Sequence, residues 1–574
     1  MSQTGEYRVV ICGGGLAGLT LSLQLKHQHP EAKITVIEKS TRPLPEAAHK
    51  VGESTVEIGA HYLSSVLGLK EYLEENHLPK LGLRYFYGDT SKPFETRPEL
   101  GPSMFSPVPT YQLDRGILEN DLREMALKAG VELIEGASIK DVSIQEEREL
   151  NSVTYEIGEK DEIIEANWVV DAMGRRRYLQ TKLGLKKESP HSASSVWFRM
   201  DGKVSVDDLV PESNKEWHNR NLEDRYYSTN HLMGLGYWVW LIPLSSGATS
   251  IGIVTQNDLQ DFPSYARSYE TSFEWLKTHE PHLANHLEGR QPLDFRKIKN
   301  YSYDSEQLFS EKGWSCIGES GIFSDPFYSP GSDMIAITNT LTGNLIREDI
   351  EQKLSSKKVN QLNDFVLKTM FPDQLNYYTE GYHTFGNTQV AASKFLWDTL
   401  YYWRVYAHAF MTGVFEDFEK LSVFEKHVSQ FREMNGLIQK EFKKLADSNT
   451  SENHFAYVDL ARKELFIESA ISLLTKPSDS DLESHLTYQY TFLSELQKSL
   501  QAELNQTKSK RTPFADFFGT LDNKAKLQNM YNRFVSRIGN GAFLYGVRDL
   551  YINLIVRGKQ RVYFSSMLRF LFPD

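Results

Sequence analysis

The apolar run Arg8-Val9-Val10-Ile11-Cys12 leads directly into Gly13-Gly14-Gly15-Leu16-Ala17-Gly18 and then a helical stretch. A strand, a tight turn and a helix start commit the chain to an α/β sheet. Gly13 lets the backbone reverse and Gly15 lets a pyrophosphate approach it. Gly18 lets the helix pack close to the strand, with the N–H groups of the first turn, around Leu16 and Ala17, facing the phosphates. A second apolar run, 34–37, ends at Glu38, 20 residues past Gly18. An acid at that spacing binds a ribose hydroxyl of a dinucleotide and disfavours a 2′-phosphate. A glycine-rich turn without a ligand is the alternative, and it would need neither the spacing nor the acid.

With 574 residues, the chain has room for roughly three or four structural units at about 150 residues each. Its two cysteines, Cys12 and Cys316, make no disulfide framework and no metal motif, so a reducing, cytoplasmic setting and no metal are expected. The N-terminus has no charged-then-apolar signal pattern, and the longest apolar stretch, 235–244, falls short of the roughly 20 residues of a bilayer span. A net charge of −12 argues against nucleic acid as a partner. The charge is uneven: residues 508–574 carry 12 Lys+Arg against 4 Asp+Glu. This basic tail, interspersed with Phe and Leu, reads as a solvated face, or as a contact for an acidic carrier protein or for the periphery of a membrane.

Along the chain, Ser54 or Thr55 caps a helix after Lys50-Val51-Gly52-Glu53. Lys80 follows Asn76-His77-Leu78-Pro79 and, by residue type, reads as a solvated loop lysine. Arg115 stands at a helix entrance, either reaching the nucleotide site or lying on the surface. Residues 137–164 alternate like a small antiparallel sheet. Trp168-Val169-Val170-Asp171-Ala172-Met173-Gly174 repeats strand, acid and glycine, which would bring a second loop to the dinucleotide.

From 194 to 254 the period is two, with strands expected at 196–200, 225–229, 236–243 and 249–255. Trp238 and Trp240 share a face, more often core than site. Gly318-Glu319 follows another apolar strand, and the Pro/Gly-rich loop through Asp325 enters a helix at Ser332 with free N–H groups. Beyond 362 the pattern is helical and aromatic. The run 395–403 reads as core or cavity lining, and 479–505 as a solvated amphipathic helix.

In this order, Gly13 to Gly18, Lys50 to Thr55, Lys80, Trp168 to Gly174, Trp238-x-Trp240-x-Ile242-Pro243 and Gly318 to Ser332 resemble the FAD-dependent halogenases, which share the fold of the flavin aromatic hydroxylases. The resemblance implies an α/β fold: a Rossmann-type, GR2-like FAD-binding domain at 1–190 and 300–350, an antiparallel-sheet substrate domain at 191–299, and a helical C-terminal region at 351–574 with the basic tail. It implies FAD binding by Gly13, Gly15, Leu16, Ala17, Gly18, Glu38, Lys39, Glu53, Ser54, Arg115, Asp171, Gly174, Glu319 and Asp325. Trp238, Trp240, Pro243 and Tyr328 would line the passage to the substrate, and Ser329, Pro330, Gly331 and Ser332 would hold a halide, chloride or bromide. Lys80 would be the catalytic lysine, taking hypohalous acid made with reduced FAD, O₂ and halide and delivering the halogen to an aromatic ring.

No second glycine fingerprint follows a strand, so a separate flavin reductase is expected as a transient partner. Where tryptophan halogenases carry a glutamate before Ser-Thr-Gly, this chain has Tyr328-Ser329-Pro330-Gly331. Without that carboxylate, a phenol or pyrrole, free or tethered to an acyl or peptidyl carrier protein, is expected over free tryptophan, in secondary-metabolite or pigment biosynthesis. Glu319 stands where related flavoproteins have aspartate. Two alternatives stay open: a flavin monooxygenase of an aromatic or polyene substrate, and a flavin-binding assembly component of a biosynthetic complex.

Overall fold

The strand Arg8–Cys12 runs parallel between Lys33–Glu38 and Trp168–Asp171. Trp314–Cys316 and Glu132–Glu135 extend this sheet in parallel on its two sides, and Phe309–Ser310 closes one edge antiparallel. These contacts come from a computed structural model that describes residues 6–45, 51–146, 149–448, 456–477 and 481–506. Lys50 and the basic tail lie outside the described residues. The inner strands Arg8–Cys12 and Trp168–Asp171 are almost continuously apolar because both faces are covered, whereas the edge strand Glu132–Glu135 is not buried. The three-stranded sheet Ala137–Ser143, Asn151–Ile157, Lys160–Ala166 packs against them, as does the helix Leu16–Gln28, which is itself backed by Arg115–Lys128 and Gly331–Ile350. Val9, Val10 and Ile11 are fully buried, each contributing about 1.5–3 kcal/mol.

The expected antiparallel sheet forms from Arg296–Ile298, Ala193–Met200, Thr249–Gln256, Tyr237–Pro243 and Thr229–Gly234. It then continues beyond 191–299, through Leu83–Phe86 and Glu99–Gly101 to Tyr457–Asp459, making eight strands. The strand expected at 225–229 begins only at Thr229. Asp224 accepts the Tyr226 N–H and turns Arg225–Tyr227 into a 3₁₀ helix, which aims the Arg225 guanidinium inward at Glu99.

C-terminal to this, helices Thr388–Tyr402, Phe418–Ser448 and Leu482–Gln506 pack together. The last is not the solvated helix expected: Leu482, Leu486, Leu493, Leu496 and Leu500 are buried, a stripe at spacings of three, four and seven that lies along Phe418–Ser448. Among the described residues, no helix is long and apolar enough to cross a membrane.

Candidate active site

At the glycine turn, packing dictates three of the four glycines, a Cβ on Gly14 standing 2.8 Å from Glu38 Cβ. Gly13 has φ +118°, and a Cβ there would stand 2.5 Å from the Ala172 carbonyl oxygen; a Cβ on Gly18 would stand 2.0 Å from the Gly13 oxygen. A Cβ on Gly15 would meet nothing closer than 4.0 Å, so the face in front of the helix is open. The helix starting at Leu16 and Ala17 has no side-chain cap, leaving its first N–H groups to an anion. The Glu38 carboxylate accepts from the Gly14 N–H at 2.7 Å and the Ser40 N–H at 2.9 Å, while Lys39 is exposed. An open turn, uncapped N–H groups and an acid at the neighbouring strand end are a donor set that fits a dinucleotide.

Asp171 has a different place from the one expected. It is buried, and its carboxylate accepts from the Met173 N–H at 3.0 Å and the Leu179 N–H at 2.8 Å; burial pushes it up to about 6. Its acceptors hold the second turn, where Gly174 has φ +56°.

One cavity is lined by Val51, Gly52, Glu53, Ser54, Thr229, His231, Trp238, Trp240, Ile242, Glu319, Phe323, Pro326, Ser329 and Gly331. It thus gathers seven of the residues singled out in the sequence. Arg115 is not on the surface: it donates to the Val51 carbonyl at 2.9 Å and pairs with Glu119 at 2.6 Å, fixing the 51–52 edge. Glu53 is held by Arg199 at 2.7 Å, and Ser54 Oγ lies 2.9 Å from Thr229 Oγ1. The rings of Trp238 and Trp240 are 5.7 Å apart, and Trp238 donates to the Tyr382 hydroxyl at 2.8 Å.

Pro243 and Asp325 are among the expected site residues that do not line it. Pro243 is buried at the end of the tryptophan strand. Asp325 is fully buried, accepting from the hydroxyls of Tyr301 at 2.6 Å and Tyr382 at 2.8 Å and from the Phe327 N–H at 2.8 Å, with His191 Nε2 at 2.6 Å. A carboxylate with that many partners anchors its loop.

A second cavity holds Lys80. Pairing of Leu78–Pro79 with Tyr111–Gln112 and the Lys80 N–H bond to the Thr110 carbonyl at 2.8 Å carry this lysine inside, where it is 3% exposed. It is therefore not a solvated loop lysine. Its Nζ donates to the Thr55 carbonyl at 2.7 Å, and the Glu57 and Asp333 carboxylates are its charged neighbours. Burial drives the Lys80 ammonium well below the usual lysine range even though both carboxylates oppose the shift. Burial likewise pushes Asp333 up to about 7, although the Tyr402 hydroxyl at 2.6 Å and the Gly59 N–H at 2.8 Å both donate to it.

Two short segments form the partition between the cavities. Glu53 and Ser54 face the first and Val56 and Glu57 the second; Ser329 and Gly331 face the first and Tyr328, Pro330 and Asp333 the second. Ser329 has φ +58°. The helix Gly331–Ile350 begins here without a side-chain cap, and the buried Ser332 hydroxyl has no partner.

The C-terminal helices close the Lys80 cavity. Phe395, Asp398, Thr399 and Tyr402 present one face of Thr388–Tyr402, with Gln374, Tyr377, Leu460, Phe466 and Ile467 beside them. The Tyr328 hydroxyl donates to Asp398 at 2.7 Å, and Lys394 pairs with the same carboxylate at 2.6 Å. Glu57, Asp333, Gln374, Tyr377 and Asp398 were not read as site residues from the sequence. Only the three-and-four spacing within 395–402 hinted at a common face.

The sequence matches the profile of the tryptophan halogenase family over residues 8–97 and 90–370. The chain belongs to that family. Among relatives, the flavin-dependent halogenase chlA of Dictyostelium discoideum is 28% identical over 390 residues, 63% of this chain and 62% of that one, so the match spans less than two thirds of that relative's length. The 1H-pyrrole-2-carbonyl peptidyl-carrier-protein chlorinase of Pseudomonas fluorescens is 29% identical over 350 residues, 57% of this chain and 72% of that one. A variant of the halogenase PltM in complex with FAD superposes with a TM-score of 0.61 over 87% of this chain and 97% of its own, at 17% identity; this likeness establishes the fold. The tryptophan halogenase match covers the glycine turn, Lys80, the tryptophan strand and the partition. It ends at residue 370, before Gln374, Tyr377 and Asp398.

Proposed function

We propose that this protein is a flavin-dependent halogenase of an electron-rich aromatic substrate, with FAD at the glycine turn, halide at Ser329 to Ser332 and substrate in the Lys80 cavity. The observation that carries the reading is the partition. It separates the tryptophan-walled cavity, which gathers Glu53, Ser54 and Glu319 of the expected flavin-side residues, from the cavity holding a buried lysine. Reduced FAD with O₂ supplies the oxidation of halide to hypohalous acid. The chain's own groups then restrain that oxidant.

The uncapped N–H groups at Gly331 and Ser332 and the unpartnered Ser332 hydroxyl hold the anion. Lys80 holds the hypohalous acid by a hydrogen bond, or its free amine takes the halogen from it with release of water to give a haloamine, and the halogen then passes to the ring. Asp333 or Glu57 accepts the proton that the ring carbon loses, doing the work of the glutamate that Tyr328 replaces. The walls exclude water from the oxidant.

A cytoplasmic protein served by a separate flavin reductase suits this reading. The P. fluorescens relative's name specifies a carrier-tethered substrate, and tethering is one of the two modes of delivery proposed here. The deciding experiment is single-turnover mass spectrometry with reduced FAD, O₂, bromide and a panel of phenols and pyrroles, free and carrier-bound. A brominated product supports the reading; a product that gains oxygen alone overturns it in favour of a hydroxylase.

Two further results are expected. Gly15→Ala should lower FAD affinity by about tenfold, as for loss of a close backbone approach worth about 1.4 kcal/mol, while leaving the melting temperature unchanged, because Gly15 has an ordinary φ of −87° and free space for a Cβ. Flavin absorbance titration alongside a thermal melt checks both halves. Glu57→Gln removes the larger of the two charges holding the Lys80 ammonium up. If the free amine is the working form, the alkaline-going rise of the halogenation rate should move to lower pH in the variant; a profile that stays in place excludes the amine as the titrating group.

A further inference from the structure

We propose that Tyr382 is a positioning residue that holds Trp238 and, through it, the turn Ser329 to Ser332, so that the anion site depends on a hydroxyl supplied by the C-terminal region. This rests on the halogenase reading of the flavin-side cavity and adds to it a group beyond residue 370, where the family match ends.

One short segment grips the tryptophan strand and the anion loop together. Tyr382 lies in the turn that follows the helix Phe371–Thr379. Its carbonyl accepts from the Gly236 N–H at 3.2 Å, and its hydroxyl accepts from the Trp238 indole at 2.8 Å. The same hydroxyl donates to Asp325 at 2.8 Å. Three residues on, the Phe385 ring lies 4.7 Å from that of Phe327, which in turn meets the Trp238 ring at 5.2 Å. Asp325 accepts the Phe327 N–H at 2.8 Å, and the Ser329 N–H bonds to the Pro326 carbonyl at 2.9 Å. The contacts close a circuit, from Tyr382 to Asp325, Phe327 and Trp238 and back, and the turn at Ser329 is built on it.

The protons give the circuit one direction. An indole N–H only donates. Burial and the Asp325 charge hold the Tyr382 phenol well above its ordinary value, so the hydroxyl keeps its proton, gives it to Asp325 and offers Trp238 a lone pair. Asp325 does not depend on this bond, because Tyr301 at 2.6 Å, His191 at 2.6 Å and the Phe327 N–H remain with it. Trp238 does depend on it: the ring is 1% exposed, and a phenylalanine at 382 would strand its N–H without an acceptor. The cavity that Trp238 lines is the side toward which the indole can turn. Turning that way takes its ring off Phe327, two residues before Ser329. Lys80, anchored at Thr55 in the other cavity, stands outside the circuit.

The test is Tyr382→Phe in the full chain loaded with FAD. With ¹⁵N-labelled tryptophan, the Trp238 indole signal is the one that Trp238→Phe removes. In Tyr382→Phe it should move upfield, while the melting temperature falls by no more than about 4 °C. In turnover with varied bromide, the bromide KM should rise about tenfold, the range of one hydrogen bond, and kcat should change less than about twofold. A general loss of structure would instead lower kcat and leave KM alone. In a Trp238→Phe background, which has no indole N–H to hold, the same substitution should move the bromide KM less than about twofold. An unmoved indole signal, a bromide KM unchanged in Tyr382→Phe, a tenfold rise that persists without Trp238, or a larger fall in melting temperature would each overturn the proposal. The indole signal needs no turnover, so a natural chain that yields no brominated product would count against the halogenase reading, and the signal would still decide whether Tyr382 holds Trp238.

Discussion

Replacing Lys80 with alanine should lower the single-turnover yield of halogenated product by about a thousandfold, the usual loss when a positioned proton-transfer or charge-stabilising group is removed from a closed site. Among the described residues lining its cavity, Lys80 is the only cation. The bond to the Thr55 carbonyl fixes its position, so no neighbouring side chain can take its place. The fold should survive: without the ammonium, Glu57 and Asp333, both already pushed up by burial, take up protons rather than remain buried as unpaired charges.

Lys80→Arg separates the two roles open to the lysine. A guanidinium donates hydrogen bonds but stays protonated at any working pH. An arginine variant that keeps activity identifies a charged donor, and one as inactive as the alanine identifies a nucleophilic amine. Mass spectrometry of the products reads all three proteins. An oxygenated product of undiminished yield from Lys80→Ala would mean that the lysine serves packing and that the chemistry is hydroxylation.

The sequence was legible where one local pattern performs one physical task. Gly18 is dictated by a 2.0 Å approach to the Gly13 oxygen within a single strand–turn–helix unit, and Gly13 by its φ of +118° and a 2.5 Å approach to the Ala172 oxygen of the neighbouring turn; such close approaches leave glycine as the one choice. The Trp238 and Trp240 side chains share a face because their strand alternates. By residue type Lys80 reads as solvated and only the resemblance marks it as a site residue, since its burial depends on pairing between two-residue strands about thirty residues apart, which no periodicity reveals. Asp171 and Asp325 stand in ligand-like motifs, yet their carboxylates turn back to cap local N–H and hydroxyl groups. A motif fixes the type of residue but not which way its side chain faces.

The wall of the Lys80 cavity was least legible, because Gln374, Tyr377, Asp398 and Leu460 come from elements whose sequence looks like ordinary helical core. What sets them apart is that they line one cavity, and that exists only in three dimensions. The edge strand Tyr457–Asp459 is too short to alternate, and its partner Glu99–Gly101 lies more than 350 residues away.

That junction carries the second large expected effect: Glu99→Gln should destabilise the protein by about 3–5 kcal/mol at neutral pH, the cost of leaving buried cations unpaired. Glu99 is fully buried between Arg84 and Arg225, with Arg225 Nε 2.7 Å and Nη2 3.1 Å from its oxygens and Arg84 paired to it directly. Arg225 also stacks 3.6 Å from the Trp217 ring centroid and reaches Asp207 at 3.0 Å, so neither guanidinium can swing out to water. Burial pushes the Glu99 carboxyl up, but the two arginines outweigh it and hold the group below the usual carboxylate range.

A depressed carboxyl contributes stability above its unfolded value, 4.5, and loses it as pH falls through the folded value. The gap between the natural chain and Glu99→Gln should therefore be full at pH 7 and shrink in acid, which urea melts at the two pH values would measure. The same strand pairs with Tyr457–Asp459, and Leu460 and Ala461, which follow it, wall the Lys80 cavity. Loosening the ion cluster should thus raise the substrate KM more than it lowers kcat, because it disturbs the wall that holds the ring and leaves the lysine's own anchor at Thr55 intact. A variant that melts like the natural chain at pH 7 would show that water reaches the two arginines, and the cluster would then have no part in holding the cavity closed.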